Sequence, residues 1–256
     1  MSNRALTIGI LLVVGACSRN EQPISSSELA IVESLAVVPP LANQSQFTLW
    51  GKYEVSVGEF LGDGALPRAD LPMVNLNFND ANNWCLDRGL RLPNTTEVNH
   101  VLWLAHKKGL GVARNDIDLG INRSLPGGVF ERASSDIGLF DLIGNVREWV
   151  VDENSASDSR AAVFGASFAS YSNEDELILF LEKSDAAIDI GFRYVVNAKV
   201  FFEQLVAPKW STLTNSQQRQ FVEIIGQWNS VWRQGIAQGL DSTVVPQVVI
   251  DALRKE

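Results

Sequence analysis

Gly138-Leu139-Phe140-Asp141-Leu142-Ile143-Gly144-Asn145-Val146-Arg147-Glu148-Trp149 is the stretch from which the rest of the chain is read. Leu139, Phe140, Leu142 and Ile143 are apolar and demand burial. Gly144-Asn145 is a turn dipeptide built from residue types that tolerate positive φ. Asp141 and Glu148 flank the turn and bring carboxylate oxygens to it. Trp149 is a large anchor whose ring N–H requires a partner. A run that folds back between two carboxylates, with backbone carbonyls freed by the turn, suits a hard cation such as calcium.

Working outward, Phe47 to Ser56 (F-T-L-W-G-K-Y-E-V-S) is rich in aromatic and β-branched residues and predicts a strand. Val57 to Leu61 continues as a helical turn. Further on, Asn79 or Asp80 is the expected cap of a helix running to about Arg88, with Gly89 just beyond its end. Thr95 or Thr96 is the expected cap of the next, whose apolar face is Val98, Val101, Leu102, Leu104 and Ala105. On the C-terminal side come Ala161 to Phe168 (A-A-V-F-G-A-S-F) and Gly191-Phe192-Arg193-Tyr194-Val195.

These blocks, in order, resemble the formylglycine-generating enzyme family, also called the sulfatase-modifying factor family. G-L-F-D-L-I-G-N-V-R-E-W matches its G-L-x-D-x-x-G-N-V-x-E-W signature, and K-Y-E-V-S its opening strand. P-M-V-N-L-N-F-N-D-A-N-N-W-C-L-D-R-G-L-R-L-P-N-T-T-E-V (residues 72–98) keeps its helix-block spacing, and G-F-R its terminal strand. The resemblance implies an α+β, loop-rich fold related to C-type lectins, spanning residues 47–200.

The resemblance also shows what is missing. The aerobic enzymes use a copper-binding cysteine pair shortly before the G-F-R strand. Here Ser167 to Ile190 contains no cysteine, so that oxidation has no thiolate. Cys85 falls on an apolar helix face with Ala81 and Trp84 and is expected in the core. Iron-dependent relatives draw on a histidine-rich helical domain, but this chain has only His100 and His106, six apart and on different faces of a helix. Neither copper nor iron is therefore expected. Ser167 lacks a G-x-S-x-G turn. The carboxylates Glu174, Asp175 and Glu176 read as a solvated face. What the resemblance leaves is structural calcium, with side chains from Asp141 and Glu148 and carbonyls from Gly144 and Val146. The alternative is that the carboxylates bond backbone N–H groups or an arginine such as Arg193.

Residues 201–256 form a helical extension. Thr214-Asn215-Ser216-Gln217 fits a capping box, and Phe221, Ile224, Ile225, Trp228, Val231, Trp232 and Ile236 keep helical spacing. Pro246 suits the first turn of a last helix. The apolar stripe either packs on the main domain or docks a partner through Phe221, Trp228 and Trp232.

At the other end, residues 1–16 read as a secretory signal peptide, with Val14-Gly15-Ala16 before Cys17 resembling a lipobox. Cys17 is the expected lipidation site, each buried acyl methylene contributing about 0.8 kcal/mol to anchoring. Residues 17–46 read as a polar tether interrupted by an apolar patch, Leu35 to Val38. With Cys17 lipidated, Cys85 has no disulfide partner. The chain carries 21 Lys+Arg against 30 Asp+Glu, a net charge of −9, which disfavours nucleic acid as a partner.

The reading that follows is a non-catalytic lipoprotein of a bacterial cell envelope. It is held by an N-terminal lipid anchor, with the outer membrane, facing periplasm or surface, as the expected address. Its domain binds a protein or glycan partner as an accessory of an envelope or secretion assembly. The alternative is an enzyme of the same superfamily using chemistry other than cysteine oxidation.

Overall fold

A computed structural model describes residues 32–42, 44–106, 120–129, 137–153, 159–170 and 177–255. The expected signal peptide, Cys17 and most of the tether lie outside these residues, as do Glu174, Asp175 and Glu176. No helix among the described residues is long and apolar enough to cross a membrane.

The fold is α+β. Strands β1 (Leu35–Val38), β2 (Thr48–Gly51) and β7 (Val195–Asn197) form one sheet in the order β1-β2-β7, antiparallel throughout. Strands β5 (Ile178–Glu182), β4 (Arg160–Phe164), β3 (Arg147–Val150) and β6 (Ile190–Gly191) form a second in that order, with β6 parallel to β3. Strands β1 to β4 are buried on two sides, whereas the edge strand β5 is partly exposed. Leu35, Val37, Leu49, Trp149 and Val163 enter one apolar cluster, and their neighbours Ala36, Val38, Trp50, Val150 and Phe164 enter another. The period of two in a strand produces this split. It also explains why Leu35 to Val38 is a continuous apolar run rather than an alternating one.

This corrects the expected tether. The patch Leu35 to Val38 is a strand in full register with β2, from Leu35 opposite Gly51 to Val38 opposite Thr48. All four residues are buried, so the folded part begins well before residue 47.

Helices cover the two clusters. Helix α1 (Val57–Leu61) is capped by Ser56, whose hydroxyl accepts from Glu59 N. Helix α2 (Phe78–Leu86) buries Phe78, Ala81, Trp84 and Cys85 in the first cluster. Helix α3 (Thr95–His106) buries Val98, Val101 and Ala105 in the second. Two caps lie upstream of expectation, at Asn77 rather than Asn79 or Asp80 and at Asn94 rather than Thr95 or Thr96. Asn77 caps α2 through Asp80 N. Asn94 and Glu97 form a reciprocal box at the start of α3, each side chain accepting from the other's backbone N–H. An asparagine at the extended residue before the first turn reaches the third N–H, which a threonine already inside the helix cannot do.

After β7 the chain runs through α4 (Ala198–Val200), a π-helical turn (Phe201–Val206) and a 3-10 turn (Ala207–Thr212). Helices α5 (Asn215–Gly226), α6 (Ser230–Gly239) and α7 (Gln247–Arg254) follow. Thr214 and Gln217 make the expected capping box. Phe202, Phe221, Ile225, Ile236, Val249, Ile250 and Leu253 join the first cluster alongside Leu35, Leu49 and Trp149. The helical extension is thus part of the domain's own core.

Candidate functional site

The 138–149 stretch supports its sharp bends with positive φ at four residues: Gly138 at 67°, Asp141 at 54°, Gly144 at 109° and Asn145 at 59°. Asp141 Oδ2 accepts from Gly128 N at 2.6 Å. Asn145 ties the turn to the 125–128 loop: its Oδ1 accepts from Leu125 N, and its Nδ2 donates to Leu125 O and to Glu54 Oε1. Glu148, the second residue of β3, meets Arg193 from the G-F-R segment. Arg193 Nη2 lies 2.8 Å from Glu148 Oε1, and Nε lies 3.2 Å from both oxygens. The guanidinium also donates to the carbonyls of Gly51, Lys52 and Phe140. All five of its N–H groups are engaged, and Arg193 is fully buried. Gly191 precedes it because an added Cβ would stand 2.8 Å from Met73 O.

Three carboxyls, Glu54, Asp141 and Glu148, surround this one guanidinium, and all are buried. Burial pushes the Glu54 carboxyl well above its ordinary value, and the neighbouring charge of Asp141 pushes it further. Its Oε2 is buried without a hydrogen-bond partner. Asp141 is also raised by burial, against the Gly128 N–H that favours its charged form. Burial works against the charge on Arg193, but Glu148 more than offsets it and holds the guanidinium above its usual value. Glu54 was not singled out by sequence. Its signal was a lone carboxylate in the otherwise apolar and aromatic Y-E-V run.

This arrangement does not fit the calcium cage expected of Asp141, Gly144, Val146 and Glu148. Both Glu148 oxygens are turned to Arg193, and one Asp141 oxygen is taken by a backbone N–H. Among the described residues, no three His, Cys, Asp or Glu side chains are grouped to hold a metal. The arginine partner named as the alternative is the one found.

Cys85 is buried and its thiol is pushed up to about 12, chiefly by burial, so it is no nucleophile. His100 lies within hydrogen-bond distance of Pro39 O, at 3.1 Å. Ser167 belongs to a network the sequence reading missed. Its Oγ donates to Asp189 Oδ2 at 2.7 Å, where Arg147 Nη1 also binds at 3.0 Å, and Ser170 Oγ accepts from Ser167 N. Arg147 and Glu148 are consecutive in β3 and engage different partners, as side chains on opposite faces of a strand must. Among the described residues no histidine is hydrogen-bonded to the hydroxyl, and its acceptor Asp189 is paired with Arg147.

Of the three residues offered for partner docking, Phe221 is buried, edge-on to Phe202. Trp228 and Trp232 are half-buried, with Trp228 also edge-on to Phe202. Both tryptophans line a cavity of about 480 Å³ between β1 and the α5–α6 junction, together with Leu35, Val37, Ile224 and Gln227.

Residues 105–198 match the sequence profile of the sulfatase-modifying factor enzyme 1-like domain. No curated protein matches the chain. Among solved structures, the chain is similar to CarF (15% identity, 59% of this chain and 86% of that one, TM-score 0.49). It is similar to PvdO from Pseudomonas aeruginosa (17% identity, 58% and 80%, TM-score 0.47). It is also similar to Treponema denticola variable protein 1 (14% identity, 63% and 94%, TM-score 0.46).

Proposed function

We propose that this protein is a non-catalytic binding module of a bacterial envelope, lipid-anchored at Cys17, that holds a protein or glycan partner. The observation that supports it most is the cavity between β1 and the α5–α6 junction. It is a concave, partly apolar site carrying two half-buried tryptophans, which is the composition of a recognition site. The chemistry-bearing groups around the central turn support the same reading, because their hydrogen bonds are spent on holding β2, the turn, β3 and the G-F-R segment together.

The test is a pull-down from detergent-solubilised envelope with the full mature chain and with Gln227→Trp. Gln227 is exposed at the rim of the cavity, so the added ring fills the groove without entering the core. Co-purification by the wild type, lost in a variant that melts at the same temperature, is the expected result. Equal capture by both moves the binding face elsewhere, and no capture by either removes the module reading.

A further inference from the structure

The same cavity carries chemistry that narrows its ligand, and this step rests on the binding-module reading. The indoles of Trp50, Trp84 and Trp149 each donate within the protein, to Thr48 Oγ1, Phe60 O and Leu76 O. The two cavity indoles are different: Trp228 and Trp232 donate to no protein atom among the described residues. Each offers a half-buried aromatic face and an uncommitted N–H. Between them stands Asn229. Its Oδ1 is spent on capping α6, accepting from Val231 N and Trp232 N, which leaves its amide N–H groups for a ligand. Gln227, exposed beside it, adds a second amide.

The charges of the lining are already engaged. Lys52 Nζ donates to Glu33 O at 2.6 Å, and Glu33 Oε1 accepts from Gln220 Nε2. One cation and one anion cancel in formal charge and give no net pull on a charged ligand. A volume of about 480 Å³ falls in the range of about 300–1,000 Å³ that small-molecule sites span.

We propose that this cavity binds a neutral carbohydrate, with pyranose C–H faces against Trp228 and Trp232 and ring hydroxyls on the indole N–H groups and the amides of Gln227 and Asn229. A sugar ring is apolar on its faces and polar around its rim. The lining has the complementary layout. An extended peptide would instead seek backbone partners and fixed pockets at alternate residues, and a charged lipid headgroup would need a lining of opposite net charge.

The test is titration of the full mature chain with neutral tetrasaccharides of glucose, mannose, galactose and N-acetylglucosamine, followed by tryptophan fluorescence and calorimetry. Two variants keep the local structure. Trp228→Phe retains the ring contact with Phe202 but removes the N–H. Asn229→Asp retains the cap acceptor but replaces the amide donor with a carboxylate. The expected result is a fluorescence change with at least one probe and binding about tenfold weaker in each variant, with unchanged melting temperature. No response to any probe overturns the carbohydrate assignment, as does binding that both variants leave intact. Capture of a non-glycosylated protein in the pull-down, blocked by Gln227→Trp while every sugar fails, overturns the sugar and leaves the binding module standing. A binding sugar is then assigned to envelope glycan or to a glycoprotein by whether glycosidase treatment of purified captured protein abolishes its capture.

Discussion

The central residue of this fold is Arg193, a buried cation that joins four segments through one guanidinium. Replacing it with methionine leaves Glu148 buried and uncompensated, and the expected loss is about 3–5 kcal/mol, read by urea denaturation. Pairing that change with Glu148→Gln recovers part of the loss. A double variant no better than the single one refutes the pairing as the source. Glu54 behaves in the opposite sense. Its raised pKa means that the folded state keeps a proton which the unfolded carboxyl releases near pH 4.3. Its contribution is complete below that pH and declines as pH rises toward the folded value. Glu54→Gln keeps the acceptor for Asn145 and stays neutral. It should therefore gain stability relative to the wild type as pH rises from about 5 to about 8, because the wild-type carboxyl is progressively forced to ionise inside the fold. Identical pH dependence of variant and wild type excludes a protonated Glu54. The raised Asp141 acts in the same direction, so a residual slope is expected in the variant. Calcium is a separate matter. A bound ion at a hundred times its dissociation constant would add about 2.7 kcal/mol, whereas the occupied oxygens of Glu148 predict no change in melting temperature between added calcium and chelator.

At the scale of elements, the sequence was most readable where one local rule decides. The Thr214–Gln217 box was legible because both halves of a capping box are encoded within four residues, and the structure forms it with both hydrogen bonds. Thr214→Ala should cost about 1 kcal/mol, measured as a shift in denaturation midpoint at constant slope. Where two polar residues compete for a cap, as at Asn77 against Asn79, the choice depends on where the chain leaves its preceding strand-like segment, and that is tertiary. The turn 138–149 was legible as a turn. Whether its carboxylates take a cation or a guanidinium was not, because Arg193 lies 45 residues from Glu148 and no local pattern records the pairing. Ser167, Ser170, Asp189 and Arg147 were hidden for the same reason: the parallel pairing of β6 with β3 brings them together. The cavity was hidden twice over, since one wall is a strand that resembled a tether and the other an apolar stripe with two open readings.

At the scale of the whole molecule, the first strand and the last helix of the described residues both belong to the core, and this sets its limits. Strand β1 sends Leu35 and Val37 to one apolar cluster and Ala36 and Val38 to the other, so no residue of it is a covering that can be peeled away. Each buried Leu or Val contributes about 1.5–3 kcal/mol. Losing Leu35, Val37 and Val38 together therefore removes about 5 kcal/mol or more, comparable with the whole stability of an ordinary domain, about 5–15 kcal/mol. The β2 strand, with Leu49 and Trp50 fully buried, would become an exposed apolar edge. A chain beginning at residue 47, the start implied by the family motifs alone, should be insoluble or lack a cooperative unfolding transition. A chain beginning at residue 30 should melt cooperatively and at the temperature of the mature protein. The C-terminal helices are held in the same way. Val249, Ile250 and Leu253 of α7 are fully buried, and Arg233 of α6 donates to Ala252 O, so a chain ending at residue 200 should also fail to fold. Circular dichroism with thermal melting separates the outcomes. A soluble, cooperatively melting 47–200 fragment would show that β1 and the helices are accessories rather than parts of the core, and the cavity they form would then be a junction between separable pieces.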